Sequence, residues 1–347
     1  GGFMKIFFTA EYDEEQLKPL YDMGEVIKDG WALGLPKMTE EDLVTKTKDA
    51  DMIITSYDDI TRKVIESAPK LKLIACTRAT PVNVDIEAAK ERGIPVLYTP
   101  GRNSDSTAEM TIGLMLSIAR RIPMAHCALK EGRFTGNPDA KKETKDGLKV
   151  DMIWDMNMDS PYMVFKGTQL HGKTLGIVGY GSIGRRVGKI ARAIGMELLI
   201  YDPFVGEVDV EEFGVRKALN LKQLMQESDF VTCHMKVTDE TKGCISREMI
   251  SYMKKTAYFI NASRGAILDE EALIDALREK RIAGAAFDVY ASEPLASNHP
   301  YVAELDNVVI TPHIAGATDD VLVNHTKQIV ADVRRFLNGE HLLYQYR

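Results

Sequence analysis

The sequence has little of what would commit it to a metal, a membrane or a nucleic acid. Its four cysteines, Cys76, Cys127, Cys233 and Cys244, are scattered without C-x-x-C spacing, which excludes a disulfide framework and a zinc site as expectations. No apolar run approaches the roughly 20 residues that cross a bilayer, and no charged start followed by an apolar signal core opens the chain. Membrane association is not expected, and a cytoplasmic location is the simplest expectation. Basic residues are outnumbered by acidic ones, 44 to 51, and no stretch gathers Lys and Arg into a stripe that would neutralise a phosphate backbone. Nucleic acid is therefore not an expected partner. There is no internal repeat and no low-complexity tract. Gly1, Gly2 and Phe3 precede Met4, resemble a cloning remnant and are left out of the fold argument.

At 347 residues the chain exceeds the size at which one core stops growing, so two domains are expected. From Met4, short apolar runs (MKIFFTA, ADMIITS, LKLIACT) alternate with amphipathic charged segments (EEQLKPLYDMG, TRKVIESAP). That alternation predicts parallel strands joined by crossover helices. A helix is predicted through STAEMTIGLMLSIARRI, capped by Ser104 or Ser106, with Ile112, Met115, Leu116 and Ala119 on its buried face. The segment 131–161 is polar, then Met-rich, and contains Trp154. Its length suggests a functional loop, and Met152, Trp154, Met156, Met158 and Met163 are candidates for contact with a partner subunit. Strand and helix alternation resumes at Gly172 and runs to about Thr311. A final helix from Thr318 to Leu337 ends in Asn338-Gly339.

Gly179, Gly181 and Gly184 form G-x-G-x-x-G between a buried-type strand, TLGIVGY, and a helix with apolar residues at Val187, Ile190, Ala191 and Ile194. In that setting Gly179 makes a tight turn, Gly181 lets backbone approach a pyrophosphate and Gly184 lets helix and strand pack closely. The helix start at Ser182 and Ile183 offers free N–H groups to phosphate. Asp202 ends the next strand, eighteen residues past the last glycine, where a carboxylate accepts from ribose hydroxyls and repels a 2′-phosphate. NAD is the expected cofactor.

Three later strands each run into a polar residue: AYFINASRG into Arg264, GAAFDVYASEP into Asp288 and Glu293, NVVITPHIAG into His313. In a parallel sheet such ends converge on the ligand crevice. Arg264 offers bidentate recognition of a carboxylate, His313 can shuttle a proton, and Glu293 beside it would favour the imidazolium. Asp288 could accept from the nicotinamide carboxamide. No metal is called for.

The chain resembles the D-isomer-specific 2-hydroxyacid dehydrogenases, the family of D-lactate, glyoxylate/hydroxypyruvate and 3-phosphoglycerate dehydrogenases, from about Met4 to Leu337. The resemblance is carried by GKTLGIVGYGSIGRRV, INASRGAILDEEAL, AAFDVYASEP and TPHIAGAT. It implies an α/β fold in which a Rossmann domain, 105–317, is inserted into a flavodoxin-like substrate domain, 4–104 and 318–347. A homodimer built through the cofactor domains is also implied. The implied catalytic set is Arg264, Glu293 and His313. Implied cofactor contacts are Ser182, Ile183, Asp202, His234, Met235, Ala262, Ser263, Arg264, Asp288, His313, Ala315 and Gly316. The expected activity is NAD-dependent interconversion of a small 2-hydroxy acid and its 2-oxo acid. A corepressor-like NAD sensor and a phosphite-type dehydrogenase are the rival readings. Two departures stand out. The first-domain loop reads CTRATPVNVD, without the family's two glycines, so Arg78, Ala79 and Thr80 are the expected substrate contacts there. Lys236 stands where the family usually has proline, and could attract an acidic substrate.

Overall fold

Short runs of two to five residues, too short for helices and mostly rich in Ile, Leu and Val, become the strands of two parallel sheets. A computed structural model describes residues 3–136, 138–139, 158–210 and 214–347, and the backbone of 144–145 and 148–149. It divides into two compact units, Gly1–Ser106 with Ala317–Arg347, and Thr107–Gly316.

In the first unit β1 (Met4–Phe8), β2 (Gly24–Lys28), β3 (Met52–Thr55), β4 (Leu73–Cys76) and β5 (Val96–Leu97) lie in the order β2-β1-β3-β4-β5, all parallel. This is the flavodoxin-like order. Helices α1 (Glu14–Tyr21), α2 (Glu40–Lys46), α3 (Arg62–Glu66) and α4 (Ile86–Glu91) make the connections. Each starts where a side chain captures an orphan N–H: Asp13 takes Gln16 N, Thr39 takes Asp42 N, Thr61 takes Val64 N and Asp85 takes Ala88 N.

The long helix α5 (Ser104–Ala119) leads into the second unit, with Ile112, Met115 and Ala119 buried as their spacing predicts and Leu116 only half-buried. After α6 (Ile122–Lys130), the short antiparallel pair β6 (Thr144–Lys145) and β7 (Leu148–Lys149), and α7 (Pro161–Val164), the sheet proper begins. Met152, Trp154 and Met156 lie outside the described residues; Met158 is exposed and Met163 half-buried. The sheet comprises β8 (Thr174–Val178), β9 (Glu197–Tyr201), β10 (Val215–Lys217), β11 (Phe230–Cys233), β12 (Tyr258–Asn261), β13 (Gly284–Phe287) and β14 (Val308–Ile310). Their order is β10-β9-β8-β11-β12-β13-β14, again all parallel. The order reverses between β8 and β11, the topological switch point at which doubly wound sheets bind dinucleotides. Connecting helices are α8 (Ser182–Ile194), α9 (Leu221–Glu227), α10 (Arg247–Ser251), α11 (Glu270–Arg278) and α12 (Pro300–Ala303).

The chain then returns to the first unit as α13 (Asp319–Leu337), whose Ile329, Val330 and Val333 pack with Ile6, Leu17 and Leu73. Past Gly339, at φ 68°, the tail lies along β5, with Tyr98 N donating to Tyr344 O and Tyr346 N to Val96 O. Asp332, fully buried on α13, accepts from the Leu343 and Tyr344 N–H groups and fixes the tail there.

Candidate active site

The glycine turn is built by close contact at two positions and open space at the third. Gly179, at φ 96°, lies against the loop after β11, and a Cβ there would come within 2.7 Å of His234 C and of the Met235 side chain. A Cβ on Gly184 would come within 2.2 Å of Gly179 O, so only glycine lets α8 pack on β8. A Cβ on Gly181 would meet nothing within 4 Å. Gly181 is the N-cap of the 13-residue α8 and makes no side-chain cap bond, and the start of a helix of this length suits an anion. Ser182 Oγ lies 2.6 Å from Arg186 Nη1, and Ile183 packs half-buried against the core. At the end of β9, Asp202 Oδ2 accepts from Tyr180 N at 2.8 Å and Oδ1 from Phe204 N at 2.9 Å. A carboxylate has about four acceptor positions, so this one is held in place with capacity left for two ribose hydroxyls. Open space over Gly181, an uncapped helix start and an acid at the next strand end together fit an NAD molecule.

The chemistry-bearing residues follow three neighbouring strands. Arg264 comes after β12, Glu293 after β13 and His313 after β14. His313 Nδ1 lies 2.6 Å from Glu293 Oε2, and the two side chains are 50% and 35% exposed. A carboxylate can only accept, so Nδ1 carries the hydrogen and Nε2 is left to exchange a proton with a bound molecule. His313 sits at φ 53°, left-handed backbone that a side chain other than glycine adopts only when its surroundings impose it. They do: Asp288, fully buried, accepts from Ile314 N and Thr311 Oγ1 through Oδ1 and from Ala315 N through Oδ2. Arg264 is exposed, donates from Nη1 to Ser263 O at 2.8 Å, and has no carboxylate partner among the described residues. Asn261 fixes its loop, Oδ1 accepting from Ser263 N and Nδ2 donating to Arg264 O.

A sequence profile described as D-isomer specific 2-hydroxyacid dehydrogenase, NAD binding domain, matches residues 112–315. The D-3-phosphoglycerate dehydrogenase of Methanocaldococcus jannaschii is 38% identical over 97% of this chain. The glyoxylate reductase of Thermococcus litoralis is 34% identical over 97% of it. This chain belongs to the D-isomer specific 2-hydroxyacid dehydrogenase family. It spans 58% of that phosphoglycerate dehydrogenase's length and 94% of the glyoxylate reductase's. In shape it is similar to the apo D-lactate dehydrogenase of Escherichia coli, with a TM-score of 0.75 and 26% identity over 99% of this chain and 100% of that one.

Against the contacts that membership implies, several residues stand differently from one another. Asp288 already holds three donors of its own chain and has no exposed surface, so in this structure it anchors the histidine turn. His234 bonds Thr232 Oγ1 through Nε2, and burial pushes its pKa down to about 4, so it is neutral at pH 7. Ala262 and Ala315 are buried, while Gly316 ends the second unit. Lys236 is exposed, its carbonyl accepting from Thr241 Oγ1. In the first unit the altered family loop follows β4. There the Arg78 guanidinium lies 5.2 Å from the centre of the Tyr57 ring, with Asn83 Oδ1 at 3.5 Å, Ala79 is half-buried and Thr80 exposed. The sequence reading missed Tyr290, Asn261 and Thr311. Asn261 could have been found, since its side chain caps a turn within INASRG.

Proposed function

We propose that this chain is an NAD-dependent oxidoreductase that interconverts a small D-2-hydroxy acid and its 2-oxo acid. The observation that carries the reading is the 2.6 Å contact of His313 Nδ1 with Glu293 Oε2, on the two strand ends next in order after the one that precedes Arg264. Bound NADH supplies the hydride. His313, with its Nδ1 hydrogen held by Glu293, gives a proton from Nε2 to the substrate carbonyl oxygen in reduction and takes one from the hydroxyl in oxidation. Arg264 pairs with the substrate carboxylate through parallel N–H bonds and so fixes the carbonyl beside it. Asp202 accepts from the ribose hydroxyls and disfavours a 2′-phosphate, which favours NADH over NADPH.

An NAD sensor without turnover would have no use for an imidazole held by a carboxylate, and the matched relatives carry the names of dehydrogenases and reductases. The homodimer that family membership suggests, and the cytoplasmic location expected from the sequence, belong to the same proposal; light scattering on the purified chain tests the dimer. The activity is tested by a panel of glyoxylate, pyruvate, hydroxypyruvate, phosphorylated and dicarboxylic 2-oxo acids with NADH and NADPH, followed by cofactor absorbance. At least one acid should be reduced, faster with NADH; no turnover with any acid or either cofactor removes the reading.

A further inference from the structure

Glu293, His313 and Arg264 come from three different loops, and one residue between them touches the attachment of each. The backbone N–H of Tyr290 donates to Glu293 Oε1 at 3.1 Å, the oxygen His313 leaves free. Its buried hydroxyl donates to Thr311 O at 2.7 Å and lies 3.1 Å from the Thr311 N–H, two residues before His313. Its carbonyl is packed against Gly265, where a Cβ would come within 2.1 Å of Tyr290 O, so the residue after Arg264 rests directly on the Tyr290–Ala291 peptide.

That peptide is held from behind. Ala291 N donates to Glu270 Oε2 at 2.9 Å, and Glu270 Oε1 lies 2.9 Å from His299 Nε2, the two side chains only 17% and 16% exposed. The His299 tautomer is set by its neighbours. Tyr301 N donates to Nδ1 at 3.1 Å, so the hydrogen sits on Nε2 and points at the carboxylate. Glu270 is placed for this in the first turn of α11, behind the Asp269 N-cap.

We propose that Tyr290 is the positioning residue for the Arg264, Glu293 and His313 set, and that the Glu270–His299 pair clamps Tyr290 in place. The clamp acts on the backbone that carries Glu293 and supports Gly265, while the Tyr290 hydroxyl ties the same backbone to the strand end before His313. Among the described residues, the hydrogen bonds of the Tyr290, Glu270 and His299 side chains go to Phe287, Thr311, Ala291, Tyr301 and one another, and none goes to the Arg264, Glu293 or His313 side chain. Their effect is to hold the proton donor and the carboxylate-binding cation in a fixed relation, where a displacement near 1 Å costs up to about 100-fold in rate.

The proposal takes its kinetic readout from the dehydrogenase reading. In Glu270→Gln the amide cannot accept from both Ala291 N–H and His299 Nε2–H, and in Tyr290→Phe the tie to Thr311 is gone. For each variant, kcat for the best 2-oxo acid should fall roughly 10- to 100-fold. The primary isotope effect with deuterated NADH should rise, because the chemical step has slowed, while NADH affinity by fluorescence stays within about twofold. A merely structural role would lower the active fraction and leave the isotope effect where it was. Crystal structures of the two variants should show the Glu293–His313 contact opened. An unchanged kcat, or a reduced kcat with an unmoved isotope effect and the contact intact, overturns the proposal. If the wild type reduces no acid, the dehydrogenase reading has failed and the crystallographic comparison still decides the positioning role. If one variant does not fold, the other carries the test.

Discussion

His313 is the residue on which most depends, and its unusual backbone shows what holds it. A left-handed φ of 53° in a residue with a side chain persists because Asp288 accepts from the two following N–H groups and Glu293 holds the ring. His313→Ala should therefore lower kcat by about 10²- to 10⁴-fold, the range of general acid–base catalysis, with NADH binding by fluorescence retained. Turnover within threefold of wild type would take the histidine out of the mechanism. Arg264, Glu293 and His313 were legible because each follows a strand, and strand ends in a parallel sheet point one way. The hold that Asp288 and Tyr290 have on the turn was not legible. It depends on hydrogen bonds between loops far apart in the chain, and no local pattern encodes them.

At the scale of the element, the glycine turn separates packing from binding. Gly184→Ala forces a methyl into Gly179 O and should destabilise the protein by about 1–3 kcal/mol, seen as a lower thermal midpoint together with weaker NADH binding. Gly181→Ala meets no protein atom, so the thermal midpoint of the free protein should not move while NADH affinity drops at least about tenfold. Unaltered affinity in Gly181→Ala would mean that the phosphates do not pass over this residue. The elements themselves were the most legible part of the chain. Helix α13 was expected from Thr318 to Leu337 and runs Asp319–Leu337, because Thr318 stops one end and Gly339 the other. The tail along β5 was not foreseen. Its strand is a single isolated pairing of Leu97 with Gln345, secured by a buried aspartate that pairs with Arg335 of its own helix and takes two tail N–H groups from beyond that helix.

Over the whole molecule, each unit carries one histidine that burial keeps neutral. In the second unit it is His234; in the first it is His325, whose Nε2 lies 2.8 Å from Glu11 O and whose pKa is also about 4. Unfolded, both would take up a proton near 6.5, and folded only near 4, so between those values the unfolded chain binds more protons and stability falls with falling pH. The thermal midpoint should drop between pH 7 and pH 5, and His325→Gln should flatten that drop; an equally steep drop in the variant would reassign it to other groups. The split into two parallel sheets was readable from the alternation of apolar runs and amphipathic segments, and the discontinuity of the first unit from a last helix lying beyond the cofactor-type segment. That discontinuity has a consequence for synthesis. Because α13 covers Ile6, Leu17 and Leu73, the ribosome must finish Thr107–Gly316 before the unit it began first can close. The later-made domain should mature earlier, and a chain that ends just before Asp319, once released from the ribosome, should show protease protection in the second unit alone.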